Sequence, residues 1–366
     1  MKRVLWLIKG LGRGGAEQLL VSSAHHRDPA RFEYEVAYLL PWKDALVSEL
    51  ESSGISVTCL DGARGLGWVA RLRRLVRERG FDVIHAHSPA VASIAREAFR
   101  RGRPAFLTTE HNVWERYHRA TYWANALTFP RNDYVIAVSE HVHESIHYPR
   151  GLGRLPMPPV ETLYQGIDLP ETLRQATVDG VREELGIPSD VPIVGSIANF
   201  KPAKGHRHLV DAASSVLQEF PEVRFVLVGQ GPLEAEVRRR VVDAGLSDRV
   251  LFTGFREDTA RVATCFDLYA ASSIYEGLSI ALLEVMGLGC PAVVTRAGGF
   301  PEVVSDQENG VLVPTADPAS LAGAIRDLLR DGDRRRRLGR AARERAKDFD
   351  IRTTMRRTEE IYGGLA

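Results

Sequence analysis

Lysine is scarce in this chain. Only six occur in 366 residues, at positions 2, 9, 43, 201, 204 and 347, and arginine supplies the rest of the 48 basic side chains. Cysteine is equally sparse: Cys59, Cys265 and Cys290 are odd in number, far apart and without C-x-x-C spacing. That pattern excludes a disulfide framework and argues against a zinc ribbon; it fits free thiols in a reducing compartment. The formal net charge is +1, so no excess of one sign argues for a nucleic-acid partner. No stretch approaches the roughly 20 apolar residues of a membrane span. The apolar run Val4 to Ile8 is too short for the core of a signal peptide and is followed at once by Lys9 and a glycine-rich loop. It reads as a buried first strand, in a protein expected in the cytoplasm or at most peripheral to a membrane.

The length is enough for two ordinary cores. Strand-like runs at Val4–Ile8, Tyr34–Leu39, Ser56–Leu60, Asp82–His85, Ala105–Thr108 and Tyr134–Val138 alternate with helical patterns such as Ala16–Ala24, Trp68–Arg79 and Ala90–Arg100. A region rich in Pro and Gly, 149–159, interrupts the rhythm before the strand-like Val160–Tyr164. Strands then resume at Pro192–Ala198, Arg224–Val228, Val250–Thr253, Leu268–Ala271 and Ala292–Thr295. Such alternation predicts an α/β protein with parallel sheets covered on both faces. The expected division is a first domain over 1–170, a second over 171–348, and a last helical segment over 349–366. Two such domains facing one another would leave a central cleft, the usual place for a ligand. The arginines of the Arg334–Arg345 helix and of Arg71 to Arg79 read as solvated helix faces, and His141, His143 and His147 as surface residues of one helix.

The densest chemistry lies in Tyr275-Glu276-Gly277-Leu278-Ser279-Ile280-Ala281-Leu282-Leu283-Glu284. Two carboxylates eight positions apart flank a glycine turn and the start of an apolar helix. Ser279 is the expected N-cap, and the amides of Gly277, Leu278 and Ser279 would face an anion such as a diphosphate. One acid could then reach a hydroxyl-rich group and the other a ribose, which describes a nucleotide-sugar site. Two of the six lysines share the loop Asn199-Phe200-Lys201-Pro202-Ala203-Lys204-Gly205, where an exposed cation backed by helix-start amides can neutralise a departing diphosphate. The loop Gly10-Leu11-Gly12-Arg13-Gly14-Gly15 fits G-x-G-x-x-G. The acid a dinucleotide site needs at the end of the second strand is missing, because Leu40-Pro41-Trp42-Lys43 stands there. His111 follows a buried strand. His85 and His87 share one side of another strand, so a metal pair is conceivable, but no third ligand is evident. Segment 113–131 mixes aromatic and basic residues, suited to sugar stacking, to an anionic membrane surface or to ordinary packing.

Glu276 to Glu284 resembles the Glu-x7-Glu motif of family 4 of the retaining glycosyltransferases, which have the GT-B fold of two Rossmann-like domains. The resemblance continues through Met286–Pro291, Gly298–Glu302 and Asn309–Val313. It includes Gly14-Gly15-Ala16-Glu17, His85-Ala86-His87 and Lys204-Gly205. It departs at Ala198 and Asn199, where the family usually has an arginine; Lys201 could take that role.

The resemblance implies transfer of a sugar from a nucleoside diphosphate donor to an acceptor hydroxyl with retention; the base is not written in the sequence, and a uridine donor is the expectation. His111, Lys204 and Glu276 are the expected catalytic residues. Gly15, Lys201, Gly231, Gly277, Leu278, Ser279 and Glu284 are expected on the donor, with Gly14 and His87 on the acceptor side. No metal or other cofactor is expected; Asp331-Gly332-Asp333 has the D-x-D spacing but lies between terminal helices. A saccharide or lipid-linked saccharide acceptor, cell-surface glycan synthesis and peripheral membrane contact are family-level expectations. A nucleotide-sugar 2-epimerase and a non-catalytic nucleotide-sugar binder are the rival readings.

Overall fold

The computed structural model describes residues 1–62, 65–99 and 104–365. Arg100, at the end of one expected helix, and Ala366, at the end of the last segment, lie outside the described residues. The chain divides into two compact units: Met1–Gly166 with Ile351–Ala366, and Ile167–Asp350.

The first unit is built on seven strands: β1 (Lys2–Ile8), β2 (Phe32–Tyr38), β3 (Ser56–Cys59), β4 (Val83–Ala86), β5 (Ala105–Glu110), β6 (Tyr134–Ala137) and β7 (Val160–Thr162). All pair in parallel, in the order β3-β2-β1-β4-β5-β6-β7. In β1, Val4 to Ile8 are each at most 2% exposed, as expected for a strand covered on both faces. Helices Gly15–His25, Gly67–Arg79 and Pro89–Ala98 form where apolar residues recur at helical spacing. The helix at Gly67–Arg79 is only partly a solvated face. Arg71 turns back to bond the carbonyls of Leu60 and Asp61. Trp114 and Phe129 are fully buried with rings 4.7 Å apart, so ordinary packing accounts for much of the aromatic segment. The expected histidine helix is short, Glu140–Glu144, and His147 falls beyond it because Ser145 ends the turn.

The last helix, Ile351–Gly364, completes this unit. Its Met355, Ile361 and Tyr362 join Trp6, Phe32 and Tyr34 in one core cluster. Buried Glu359 accepts from the Tyr34 hydroxyl and the Asp28 amide, both at 2.8 Å. Lys2 donates to the carbonyls of Tyr362 and Gly363, the otherwise unsatisfied C-terminal end of the helix.

The second unit has six parallel strands: β8 (Ile193–Ile197), β9 (Arg224–Val228), β10 (Val250–Gly254), β11 (Leu268–Ala271), β12 (Ala292–Thr295) and β13 (Val311–Val313). Their order is β10-β9-β8-β11-β12-β13. Strand β13 is three residues after an Asn-Gly turn, too short for periodicity to reveal. In the arginine-rich helix Gly332–Ala346, Arg335 and Arg345 also bond backbone carbonyls, Arg345 that of Glu302 at 2.8 Å.

Both sheets reverse direction of growth once, between β1 and β4 and between β8 and β11. Loops leaving neighbouring strands at such a point diverge and open a crevice at the carboxyl ends of the strands. In the first unit the loop after β1 is Gly10–Gly14, and those after β4 and β5 begin at His87 and His111. In the second unit the loop after β8 carries Lys201 and Lys204, and the loop after β11 carries Glu276.

Candidate functional site

In the second unit the two switch-point loops are zipped together by backbone. The amides of Ile274 and Tyr275 both donate to the Ala203 carbonyl, at 2.8 and 3.2 Å, and Ser272 Oγ donates to the carbonyls of Lys204 and Gly205. That stitching brings the Lys204 ammonium onto the Glu276 carboxylate as an ion pair, with the Ser273 hydroxyl donating to the same carboxylate oxygen at 3.3 Å. The expectation of an exposed cation is therefore corrected: the Lys204 side chain is 24% exposed and already paired. Lys201, three residues earlier, is exposed at the start of the tight turn Pro202–Lys204. The small pocket behind the pair is lined by Ser196, Ala198, Tyr269, Ser279 and Phe300.

Glu276 is held from its other side by Gly298, at φ +52°. The position a Cβ would occupy there is filled by the Glu276 backbone, and the Gly299 amide donates to the Glu276 carbonyl at 3.1 Å. Ser279 caps the helix Ile280–Gly287, its hydroxyl accepting from the Leu282 amide at 3.2 Å. Gly277 and Leu278 immediately precede that cap. The first-turn amides of such a helix have no partner within it, and its positive end attracts anions. Glu284, in the second turn, accepts from Thr259 Oγ1 at 3.4 Å, and burial pushes its carboxyl up to about 7. Gly231 sits against the backbone of Phe200, where a side chain would collide, so this glycine also has a packing reason to be present.

In the first unit Gly14 is the N-cap of helix Gly15–His25, and the space above Gly15 is open. The three histidines form one group. The rings of His85 and His87 stack with centroids 4.1 Å apart, and His87 to His111 is 5.6 Å. His85 Nδ1 meets the Tyr362 hydroxyl at 2.5 Å and its Nε2 meets Thr109 Oγ1 at 2.6 Å, so both nitrogens are engaged by protein and the imagined metal pair is not set up. No group of three or more His, Cys, Asp or Glu that could hold a metal occurs among the described residues. His111 Nε2 lies 3.4 Å from His87 Nδ1, and its Nδ1 lies 3.2 Å from the Gln165 amide nitrogen. Burial holds His85 and His87 well below the usual histidine range and lowers His111 to about 4, so all three rings are neutral at pH 7. The His111 loop is braced from beneath by Glu110, which accepts from the Tyr117 hydroxyl and from the Asn125 amide.

Sequence reasoning missed Gln165, Thr259, Ser273 and Tyr362. Gln165 could have been found from its place just after strand β7. Tyr362 carries no local signal, because its role depends on where the last helix docks.

Two family models match consecutive parts of the chain: Glycosyltransferase Family 4 over residues 3–171, and Glycosyl transferases group 1 over residues 178–345. The chain is 27% identical over 304 residues to the N-acetyl-alpha-D-glucosaminyl L-malate synthase of Bacillus anthracis, covering 81% of this chain and 78% of that one. It is also 27% identical over 308 residues to the phosphatidyl-myo-inositol mannosyltransferase of Mycobacterium leprae, covering 81% and 77%. Its fold is similar to that of Anabaena HepE, solved in complex with UDP-glucose, with a TM-score of 0.85 at 24% identity over 100% of both chains. Two parallel-sheet α/β units, these two matches in sequence and the curated relatives lead to one assignment: the chain belongs to the family 4, group 1 glycosyltransferases of the GT-B fold.

Proposed function

We propose that this glycosyltransferase takes a sugar from a nucleoside diphosphate donor, with uridine the favoured base, and passes it to an acceptor hydroxyl with retention of configuration. The observation that carries this reading is the Lys204–Glu276 pair fixed at the switch point beside the capped N-terminus of helix Ile280–Gly287. A diphosphate at that helix start would draw the Lys204 ammonium, with Lys201 in reach of the same charge. Release of Lys204 frees the Glu276 carboxylate to accept from sugar hydroxyls. Glu284 would accept from the ribose. The bond from the sugar's anomeric carbon to the diphosphate oxygen breaks, and the acceptor oxygen attacks from the same face, its proton passing to the departing diphosphate oxygen. The UDP-glucose complex of the structural neighbour supports a uridine donor.

Lys204 supplies positive charge where other transferases use a divalent ion, so turnover should survive EDTA; a strict requirement for a divalent ion would remove this part of the reading. The acceptor is a saccharide or lipid-linked saccharide, in cell-surface glycan synthesis on the cytoplasmic side of a membrane. Trp123 and Leu127, exposed one turn apart on the helix Arg119–Thr128, are the surface that would meet the lipid.

A nucleotide-sugar panel tests the proposal by thermal shift, with diphosphate release followed for each donor that stabilises. Stabilisation by one donor with slow release supports transfer. Stabilisation without release, even with acceptor mixtures, favours a non-catalytic binder.

Glu284 adds a pH signature. Its carboxyl is held up to about 7 in the free protein, and ribose hydroxyls donating to it favour the ionised form. Its pKa should therefore fall on binding. Donor affinity should weaken as pH drops below about 7, and binding at pH 6 should release protons. Calorimetry in buffers of different ionisation enthalpy measures this; no proton release would place the ribose elsewhere.

A further inference from the structure

The histidine group carries a direction. The indole of Trp6 can only donate, so the Tyr362 hydroxyl accepts from it at 3.1 Å, and the buried hydroxyl's own hydrogen finds its acceptor in His85 Nδ1. His85 therefore carries its hydrogen on Nε2 and donates to Thr109 Oγ1. A second chain runs beside the first. Gln165, buried at 6% exposure, places its side-chain amide nitrogen against His111 Nδ1. An amide nitrogen donates, so His111 Nδ1 accepts and the ring hydrogen lies on Nε2, directed at His87 Nδ1. His87 is left with its hydrogen on Nε2, a buried atom with no protein partner. Both His87 and Gln165 line a cavity of about 30 Å³ that also includes Ser23 and Thr358. That is room for a water, which needs roughly 10–15 Å³ of such space, to accept the last hydrogen.

We infer that Gln165 is a positioning residue for His111, fixing the polarity of the hydrogen bonds through His111 and His87. This rests on the reading of His111 as one of the expected catalytic residues. Gln165 lies in the loop that follows strand β7, and the next amide, Gly166, is itself tied at 3.1 Å to Thr354 Oγ1 of the last helix. The backbone carrying the amide is thus held in place, and so is the ring it grips. Without that donor, both His111 nitrogens could carry the hydrogen and the ring could turn. A glutamine that only filled space would be replaceable by methionine of similar length.

The test is ¹⁵N spectroscopy of the histidine side chains in the full-length wild-type protein, Gln165→Met and Gln165→Glu, with thermal melting as the check on folding. In the wild type, Nδ1 of both His87 and His111 should be free of hydrogen and Nε2 protonated. In Gln165→Glu the new carboxylate can only accept, so Nδ1 of His111 should become protonated. In Gln165→Met the His111 signals should report both tautomers. The kcat for hydrolysis of whichever panel donor the wild type accepts should fall at least tenfold, with KM within about twofold. A wild-type His111 protonated at Nδ1, or a tautomer unchanged in both variants, would overturn the inference. If the wild type hydrolyses no nucleotide sugar, the transferase chemistry fails on that result, while the spectra still decide the role of Gln165.

Discussion

Lys204→Ala should cut turnover by about 10²–10³, the loss that follows removal of one preorganised group facing the charge that develops in a transition state. The geometry adds a consequence for folding. The Glu276 side chain is only 10% exposed, and loss of Lys204 would leave its carboxylate with a single hydroxyl donor, from Ser273. A buried carboxylate stripped of its charged partner is expected to destabilise the protein by about 1–3 kcal/mol. Adding Glu276→Gln should recover much of that stability, since the uncompensated charge is gone. Turnover should stay low, because neither the cation nor the acid is restored. Steady-state kinetics and denaturant unfolding of both single variants and the double variant measure this. Full activity in Lys204→Ala would end the account of leaving-group stabilisation given above.

Gly298→Ala should be as damaging without touching a charged group. At φ +52° a residue with a Cβ is strained by about 1–2 kcal/mol, and the added carbon would have to displace the Glu276 backbone. Overpacking of that kind costs a further 1–3 kcal/mol or so, giving roughly 2–5 kcal/mol in all. Any relief must come from moving the loop that holds Glu276. Nucleotide-sugar affinity should therefore fall together with the melting temperature. A variant that melts early yet binds donor normally would show that the loop tolerates the shift and that Glu276 is not held for binding.

Much of this architecture is legible in the sequence because parallel strands buried on both faces are written as short apolar runs, as at Val4–Ile8 and Leu268–Ala271. The glycine turn, Ser279 and the apolar helix after it were equally plain, since capping is a local matter. The Lys204–Glu276 pairing was not. Its partners are 72 positions apart, and their contact follows from the order of strands β8 and β11 within the sheet. The same holds for Gln165 with His111 and Tyr362 with His85, which depend on docking of distant segments. Periodicity also cannot tell an arginine that faces water from one that, like Arg345, folds back onto a carbonyl.

The path of the chain also sets a timetable for its synthesis. Residues Ile167–Asp350 are contiguous, so the second unit has all its parts once they leave the ribosome. The first unit, though begun earlier, lacks the helix that carries Met355, Ile361 and Tyr362 until residues 351–364 emerge. Trp6, Phe32 and Tyr34 must wait for these partners through the synthesis of the whole second unit, at ordinary elongation rates for roughly 10–40 seconds. Of the two units, the one whose strands are translated first is thus the last to be completed.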